Sequence, residues 1–364
     1  MLSFLDLSPE IFGIDINDLS IKIVKLKKSR NAFDLVSFNE VSIKQGIVKE
    51  GVIQDQDALS DAIRLACNTV KGKKLATNYV IASLPEEKSF SQVIQMPKMT
   101  EEELQSAVSF EAENYIPLPI DKVYLDFQVI NSHEQNHENH LDLLINGMPK
   151  SIVDSYVSCF KKAGLTPCIL EVESQAITRA LIKHREEMSP LLIIDLGVAN
   201  TGFIIFSSGS IRFTSSISIS SEQITHTIAD KLGVSFNKAE ALKLRYGLAS
   251  NGQREQKIKE AISPIILELA NQIKKYINFY QGHVSHEYFP SEGNIEKVIL
   301  CGGGANLKKL PDFLSKELKI PVELGNPLVN IILPKKNKFS DENILSFTTA
   351  LGLALRGASE KLYD

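Results

Sequence analysis

The sequence lacks the features that mark secreted and membrane-spanning proteins. Its 364 residues include no tryptophan and only four cysteines, which are widely separated and form no C-x-x-C pair. This spacing favours reduced thiols over a disulfide framework. The longest apolar candidate, residues 191–206, is interrupted by Asp195, Asn200 and Thr201, so we expect no bilayer-spanning segment. The opening MLSFLDLSPE has acidic residues and no basic region, unlike a signal peptide.

An excess of positive charge is also missing. Forty Lys and Arg against 44 Asp and Glu give a net charge of −4, whereas a nucleic-acid partner requires a basic surface that neutralises phosphates. We therefore expect no nucleic-acid partner. The 43% hydrophobic and 23% charged content is ordinary for a globular protein with a sizeable core. The length predicts about two domains or one composite unit, and the pattern favours a cytosolic, mixed α/β protein.

A strand–turn–strand pattern occurs twice, far apart in the chain. An apolar strand at residues 11–16 contains Asp15 near its end, and a turn at 17–20 and a second strand at 21–26 follow. Residues 191–206 repeat the pattern, with Asp195 at the end of the first strand. A hairpin repeated over such a distance indicates internal duplication of an α/β unit.

The segment between the two hairpins contains a different pattern. Thr100 and Glu103 form a predicted capping box for a helix whose apolar face includes Tyr115. Strand-like runs at 123–130 and 140–145 follow, and then a helix at 151–163. We interpret residues 85–165 as a compact α+β insertion. An earlier helix is predicted to begin at Asp55 and to end at Gly72.

Both hairpins have residues suited to nucleotide phosphates. Turn amides can form an anion nest, and an acid at a strand end can hold Mg²⁺ through water molecules. A third element, residues 301–306 (CGGGAN), follows a buried strand, and its glycines permit close approach of the backbone to a ligand. It is not the G-x-G-x-x-G dinucleotide fingerprint. From the residues alone, two ordinary hairpins and a simple strand-to-helix turn remain the alternative.

The order of these motifs resembles the actin-like ATPase superfamily. Residues 12–20 and 195–201 resemble its two phosphate motifs, and residues 171–176 and 350–356 resemble its two connecting helices. Residues 238–243 match the A-E-x-x-K nucleoside segment of the FtsA-like branch, and residues 300–306 resemble the adenosine motif. The resemblance implies an α/β fold in which duplicated actin-like (ribonuclease H-like) lobes surround a nucleotide cleft, with an FtsA-type α+β inserted subdomain.

Within the superfamily, residues 104–119, 123–130 and 318–330 resemble the PilM family, the cytoplasmic actin-like components of type IV pilus assembly. The implied division has a first lobe, an inserted subdomain and a second lobe whose helical part covers about 226–294. The first lobe comprises residues 1–84, 166–190 and 341–364. The inserted subdomain comprises residues 85–165, and the second lobe comprises residues 191–340.

The resemblance also implies a site for ATP or ADP with Mg²⁺. Asp15 and Asp195 would lie near the metal, and Glu173 would orient water as the catalytic residue. The implied nucleotide-binding residues are those of the first phosphate turn, the second phosphate turn, the nucleoside segment and the adenosine motif: Asn17, Asp18, Leu19, Ser20 and Lys22; Gly197, Val198, Ala199, Asn200 and Thr201; Glu240 and Lys243; Gly302, Gly303, Gly304 and Asn306.

Two departures from the family pattern lie at phosphate-contacting backbone. Asn17 stands where a glycine is usual, and Ser220-Ser221 replaces a frequent Gly-Gly. Asn tolerates a positive φ, but its side chain would crowd a phosphate nest. We therefore expect either nucleotide binding with poor turnover or a partial loss of nucleotide affinity, and at most a weak ATPase.

The implied function is that of a nucleotide-binding adaptor of the pilus inner-membrane assembly platform. Its expected partner is the N-terminal cytoplasmic peptide of a PilN-like inner-membrane protein, bound between the insertion and the first lobe, with the 104–115 helix as one wall. Other platform or motor proteins and self-association are further expectations. The protein would then be cytoplasmic and peripheral at the inner membrane, reached through protein partners. The alternative is an FtsA-like filament-forming ATPase.

Overall fold

The computed structural model describes most of the chain: residues 9–29, 33–130, 140–183, 189–250, 252–283, 294–332 and 341–359. Its strands, in chain order, are β1 (Phe12–Ile16), β2 (Ser20–Lys28), β3 (Phe33–Ser42), β4 (Val48–Lys49), β5 (Val52–Ile53), β6 (Lys71–Gly72), β7 (Tyr79–Leu84), β8 (Phe90–Pro97), β9 (Val123–Val129), β10 (His140–Pro149), β11 (Thr166–Val172), β12 (Leu191–Leu196), β13 (Thr201–Ser207), β14 (Ser210–Ile217), β15 (Lys297–Cys301), β16 (Val322–Leu324) and β17 (Ile331–Ile332).

The helices connect and cover these strands. They are α1 (Gln56–Asn68), α2 (Glu101–Ala112), α3 (Lys150–Lys162), α4 (Glu173–Leu181), α5 (Ser221–Leu232), α6 (Phe236–Tyr246), α7 (Gln253–His283), α8 (Leu310–Leu318) and α9 (Thr348–Ser359). Short 3₁₀ turns lie at Glu86–Lys88, Ile120–Lys122, Gly303–Asn306 and Asp341–Phe347. None of the helices in the described ranges is both long enough and apolar enough to cross a membrane.

Two sheets share one topology, which confirms the predicted duplication. The first has the order β11-β7-β1-β2-β3-β17, and the second has the order β14-β13-β12-β15-β16. In each, a three-stranded antiparallel meander continues through its first strand into two parallel strands: β1 pairs with β7, and β12 with β15. Parallel neighbours place their carboxyl ends at one edge of the sheet. Both hairpin aspartates therefore lie at corresponding edges.

Helices cover both faces of the first sheet. Helices α1 and α3 pack on one face around Phe12, Leu59 and Tyr156. Helix α9 covers the other face, where Leu351 and Leu355 are buried. The burial of strands on both faces accounts for the continuous apolar runs of β1 and β7 in the sequence.

The second sheet forms its own core with α5, α7 and α8. Ile194 and Phe203 of the sheet contact Ile228 of α5 and Ile266 of α7 in one buried cluster. Helix α7 continues through Pro264. Helices α5, α6 and α7 overlap the helical part expected for the second lobe, of which residues 284–293 lie outside the described residues.

The predicted insertion contains a three-stranded sheet, β8-β10-β9, covered by α2. The capping box is confirmed: the Thr100 side chain accepts from the Glu103 amide, and the Glu103 carboxylate accepts from the Thr100 amide. The placement of Tyr115 was wrong. The helix ends at Ala112, and Tyr115 lies beyond it with 48% of its surface exposed.

Two further boundaries differ from the sequence expectation. The helix at 151–163 was grouped with the insertion, but α3 buries Tyr156, Cys159 and Phe160 against α1 in the first core. The Asp55 N-cap is confirmed, because its carboxylate accepts from the amides of Asp57 and Ala58. The end at Gly72 was wrong. Helix α1 stops at Asn68, and Gly72 lies in β6, which pairs with β3.

Candidate nucleotide site

A cleft of about 680 Å³ lies between the two sheets, at the carboxyl ends of β1 and β12. Both lobes line it. It contains most of the residues that the resemblance implied: Asp15, Asn17, Asp18, Ser20, Lys22, Glu173, Asp195, Gly197, Val198, Ala199, Asn200, Glu240, Gly302, Gly303, Gly304 and Asn306. Leu19, Thr201 and Lys243 do not line the cleft, although each is adjacent in sequence to a residue that does.

Asp15 and Asp195 are placed by their strands. In the β1–β2 hairpin Asp15 pairs with Lys22, and in the β12–β13 hairpin Asp195 pairs with Gly202. The Ser83 hydroxyl donates to Oδ1 of Asp15 over 2.8 Å. The sulfur-to-oxygen distance from Cys301 Sγ to Oδ1 of Asp195 is 3.6 Å.

The cleft holds more negative than positive charge near these aspartates. Burial raises the pKa of Asp195 to about 6, and the nearby Asp15 carboxylate adds to the effect. Burial raises the pKa of Asp15 as well, against the opposing influence of Lys22 and the Ser83 hydrogen bond. The pKa of Glu173 lies well above its usual range, first because of burial and then because of Glu87.

These residues fit a magnesium ion. Mg²⁺ prefers carboxylate oxygens and retains several of its water molecules, and a cation would favour the ionised carboxylates that burial and mutual repulsion disfavour. The described residues contain no group of three or more His, Cys, Asp and Glu side chains arranged to hold a metal directly. The arrangement therefore fits an ion held through water and through a ligand's phosphates, with Asp15 and Asp195 beside it.

The first phosphate turn is closed by a side chain. Asn17 Oδ1 accepts from the backbone amides of Leu19 at 3.1 Å and Ser20 at 2.9 Å. Asn17 is not at a positive φ. The crowding expected of Asn17 thus takes a specific form, because its oxygen occupies two of the amides that would otherwise face a phosphate.

Two neighbouring polar side chains, Asp18 and Lys22, are also engaged. The Asp18 carboxylate accepts from the amides of Glu50 and Gly51 at 2.7 and 3.1 Å, which ties the turn to the β4–β5 hairpin. The Lys22 ammonium is buried and donates to the Ser20 hydroxyl over 2.9 Å. Lys22 therefore supplies positive charge beneath the turn.

The second phosphate turn has available donors. Gly197 donates to the Asn200 carbonyl, whereas the amides of Val198 and Ala199 donate to no group in the described part of the chain. Two carbonyl groups of this turn accept hydrogen bonds from the next helix. The Ser221 amide donates to the Gly197 carbonyl over 3.0 Å, and the Glu222 amide donates to the Val198 carbonyl over 3.1 Å. The two phosphate turns are therefore similar in topology and different in their free donors.

Ser220-Ser221, the second departure from the family pattern, begins α5. Ser220 is the N-cap, and its hydroxyl accepts from the Gln223 amide. Ser221 Oγ accepts from the Lys243 ammonium over 2.7 Å. Both serine side chains accept hydrogen bonds from other groups of the protein. The first amides of α5 are also engaged within the protein and are not directed to a phosphate.

One face of α6 forms the nucleoside side of the cleft. Glu240, Ala241, Leu244 and Arg245 line the cleft at helical spacing. Lys243 points the other way. It is 4% exposed, and its ammonium donates to Ser221 and Thr225 and lies 2.8 Å from Glu240 Oε2. Lys243 thus positions Glu240 and α5 and does not reach the cleft.

The glycines of the CGGGAN segment allow the main chain to approach the aspartate. Gly302 has φ +80°, and a Cβ there would lie 2.3 Å from Asp195 Oδ1. At Gly304 a Cβ would lie 2.5 Å from the Leu196 side chain. Any larger residue would displace β12 or its aspartate.

Glu173 begins α4 and interacts with the insertion side of the cleft. Its Oε2 accepts from the Glu86 amide over 3.3 Å, and Glu86 Oε2 accepts from the Ser174 amide over 3.1 Å. This reciprocal pair connects α4 to the turn that leads into β8. Glu173 lines the cleft, and its role toward water remains a prediction.

Sequence reasoning missed several cleft residues. Glu87 and Glu40 add acidic groups, and Arg245 and Lys308 add basic ones. Arg245 was accessible to sequence reasoning, because it lies four residues after Ala241 on the helix face that contains Glu240. The others come from elements that only the tertiary fold brings to the cleft.

A second groove, of about 350 Å³, is lined by residues of the insertion and of both lobes. Gln128 of β9 and Leu144 of β10 form one wall, and Arg179 of α4 and Arg356 of α9 form the other. The α2 helix, expected as a wall, does not line it, since Leu104, Val108 and Ala112 pack on the insertion's own sheet.

Two arginines of one wall share an anionic partner. Both arginines bind the single Glu171 carboxylate, which is buried: Arg179 at 2.6 and 3.0 Å, and Arg356 at 2.5 Å. The lining also includes apolar side chains, among them Phe206 and Ile211 from the second lobe. A partly apolar groove of this kind suits a peptide with anchoring side chains.

The duplicated lobes around a shared cleft define an actin-like fold. MreB5 of Spiroplasma citri bound to ADP matches it with a TM-score of 0.54 and 13% identity over 95% of both chains, which supports the fold alone. The chain is 25% identical to the cell division protein FtsA of Enterococcus hirae over 355 residues, or 86% of this chain and 78% of that protein.

The family model of the type IV pilus assembly protein PilM matches residues 13–358. This chain therefore belongs to the PilM family. A solved PilM–PilN type IV pilus biogenesis complex matches it with a TM-score of 0.83 and 26% identity, covering 97% of this chain and 100% of the matched chain.

Proposed function

We propose that this protein is a nucleotide-binding, actin-like adaptor of the type IV pilus assembly platform at the inner membrane. The observation that carries the nucleotide part is the placement of Asp15 and Asp195 at equivalent strand ends on opposite sides of one cleft. The proposed ligand is ATP or ADP with Mg²⁺. The ion would neutralise the carboxylates and the phosphates, which is the main electrostatic requirement of phosphoryl binding.

Residues of both lobes would bind the ligand. The amides of Val198 and Ala199 would donate to phosphate oxygens, and Lys22 would add positive charge on the opposite side. Gly303 and Asn306 would lie against the base, and Glu240 would accept from the ribose. Because Asn17 occupies the amides of the first turn, we propose binding with slow hydrolysis, at most a weak ATPase activity.

The partner part of the proposal concerns the second groove. The proposed occupant is the N-terminal cytoplasmic peptide of a PilN-like inner-membrane protein. Support comes from family membership, from the likeness to the PilM–PilN complex and from a lining that combines apolar side chains with two arginines. Through this peptide the protein would be peripheral at the membrane. Binding of other platform or motor proteins and self-association remain proposals without a placed surface.

Thermal shift with ATP–Mg²⁺ tests the nucleotide part. We expect ATP–Mg²⁺ to raise the Tm of the wild type, since a ligand that binds only the folded state stabilises it by mass action. Asp195→Ala should lose the shift, and Asp230→Ala, on the exposed face of α5, should keep it. A wild type with no shift at millimolar ATP–Mg²⁺ would contradict the proposal. Turnover of several ATP per second would contradict only the slow-hydrolysis part.

A peptide titration tests the partner part. A synthetic peptide with the N-terminal segment of the organism's own PilN-like protein should bind the wild type. Gln128→Trp should block binding by filling the groove. The matched control is Gln92→Trp, an exposed glutamine of the same small sheet that faces a different pocket. Equal binding by both variants would place the peptide elsewhere. Nucleotide-dependent sedimentation of polymers would instead favour the FtsA-like filament.

A further inference from the structure

Each cleft aspartate has a side-chain donor on the neighbouring parallel strand. Ser83, on β7, donates its hydroxyl hydrogen to Asp15. Cys301, at the end of β15, lies with its thiol against Asp195. Both donors are buried in the described structure, and neither lines the cleft. They therefore act on a bound ligand only through the aspartates.

The two donors occupy equivalent positions in the duplicated lobes. Asp195 of β12 is directly opposite Cys301 of β15 in the parallel register. In the first lobe Ile14 is opposite Ala82, so the next residues, Asp15 and Ser83, lie side by side. The internal duplication thus extends beyond the aspartates to the residues that contact them.

Both contacts involve the same oxygen of the carboxylate. The donors bind Oδ1 of each aspartate, and Oδ2 of neither aspartate accepts a hydrogen bond from any residue that the structure describes. The main chain at Gly302 also closes on Asp195 Oδ1. One oxygen of each carboxylate is therefore fixed by the protein, and the other is left for solvent or a ligand.

We infer that Ser83 and Cys301 are positioning residues that orient the two aspartates toward the magnesium–phosphate part of the cleft. This inference rests on the proposed nucleotide-binding function. A thiol is a weaker donor than a hydroxyl, so a serine at position 301 can replace the contact. Alanine at either position removes the contact and leaves the aspartate free to rotate.

Nucleotide affinity with and without magnesium tests this inference. For Cys301→Ala we expect ATP affinity to fall about three- to tenfold in Mg²⁺, the effect of one lost hydrogen bond, and to change little in EDTA. Cys301→Ser should restore the Mg²⁺-dependent affinity. The matched control is Cys168→Ala, which removes a thiol of β11 outside the cleft. This variant should bind ATP like the wild type.

Each outcome decides the question. A loss of equal size in Mg²⁺ and in EDTA, or a Cys301→Ser variant no better than Cys301→Ala, would show a general packing effect and overturn the inference. If Cys301→Ala does not fold, Ser83→Ala provides the same comparison in the first lobe, with the same expected loss.

A crystal structure of the nucleotide-free Cys301→Ala variant separates this inference from the proposed function. We expect the Asp195 carboxylate to leave its wild-type rotamer or to occupy several. An unchanged carboxylate would overturn the positioning role, whatever the nucleotide affinity. A wild type that binds no nucleotide would overturn the proposed function, and the rotamer comparison would still decide the role of Cys301.

Discussion

Asn17 Oδ1 lies 2.9 Å from the backbone nitrogen of Ser20, and this contact closes the first phosphate turn with a side chain of the protein itself. The same oxygen accepts from Leu19. The corresponding turn of the second lobe, at Val198 and Ala199, is not closed in this way. The two lobes are therefore duplicated in fold but unequal in their capacity to bind phosphate.

Removal of the Asn17 side-chain amide group should strengthen nucleotide binding. Asn17→Ala frees the amides of Leu19 and Ser20, and we expect ATP–Mg²⁺ affinity to rise about threefold or more. Asn17→Asp is the control, because its carboxylate keeps the acceptor and adds a charge that repels phosphate, so affinity should fall. Isothermal titration calorimetry measures both. Weaker binding by Asn17→Ala than by the wild type would refute the role assigned to this contact.

The nucleotide-free protein should lose stability as pH rises through the range in which Asp195 ionises. The folded-state pKa is about 6, above the usual aspartate value, so the folded state binds this proton more tightly than the unfolded state. The free energy of unfolding therefore falls between about pH 4 and pH 7. Asp15, whose pKa is also raised by burial, adds in the same direction.

Asp195→Asn tests this pH dependence by urea unfolding. At pH 7.5 we expect the variant to be more stable than the wild type by about 1–2 kcal/mol, less than the full shift implies, because the carboxylate lines an open cleft. At pH 4.5 the difference should be much smaller. Asp230→Asn controls for the loss of a surface charge. An Asp195→Asn variant less stable than the wild type at pH 7.5 would contradict this prediction.

Glu171 should be a strong contributor to stability. It is 4% exposed and joins β11 to α9 through Arg356 and to α4 through Arg179. Glu171→Gln removes a buried carboxylate that binds two guanidinium groups, and we expect a loss of about 2–4 kcal/mol in the free energy of unfolding.

The exposed ion pair between Lys162 and Asp57 supplies the comparison for Glu171. Lys162→Gln should leave the free energy of unfolding almost unchanged, since solvent screens this pair. Urea denaturation at one pH measures both variants. Similar losses in the two variants would show that the Glu171 cluster contributes no more than a surface pair.

Gly352 should tolerate no side chain. It lies where α9 crosses α4, and a Cβ there would be 1.8 Å from the Ala176 carbonyl oxygen. Gly352→Ala should lower the free energy of unfolding by about 3 kcal/mol or more, because two helices of the first lobe must separate. Gly282→Ala in α7, where nothing lies within 4 Å, should be neutral or stabilising by up to about 1 kcal/mol. A stable, soluble Gly352→Ala variant would contradict the packing described here.

Most of the candidate site could be predicted from the sequence, because its residues lie in hairpins and glycine turns with local signatures. Helical spacing from Glu240 and Ala241 would have found Arg245. The same spacing places Lys243 beside Glu240, so it could not predict that Lys243 is buried against α5. Glu87 has no local signature. It lies in a 3₁₀ turn that reaches the cleft only because β7 and β8 belong to different sheets.

The sequence by itself determined the elements and the duplication, since hydrophobic period, the caps at Asp55 and Thr100 and the repeated Asp-ending hairpins are all local patterns. Only the tertiary structure decided which groups remain free to act. The burial of Lys243 against α5 and the pairing of Asp195 with Cys301 depend on where separate elements pack. The closure of the first turn by Asn17 is instead a local contact. Hydrogen bonds and burial are set by neighbours distant in sequence, and so is the chemistry of this cleft.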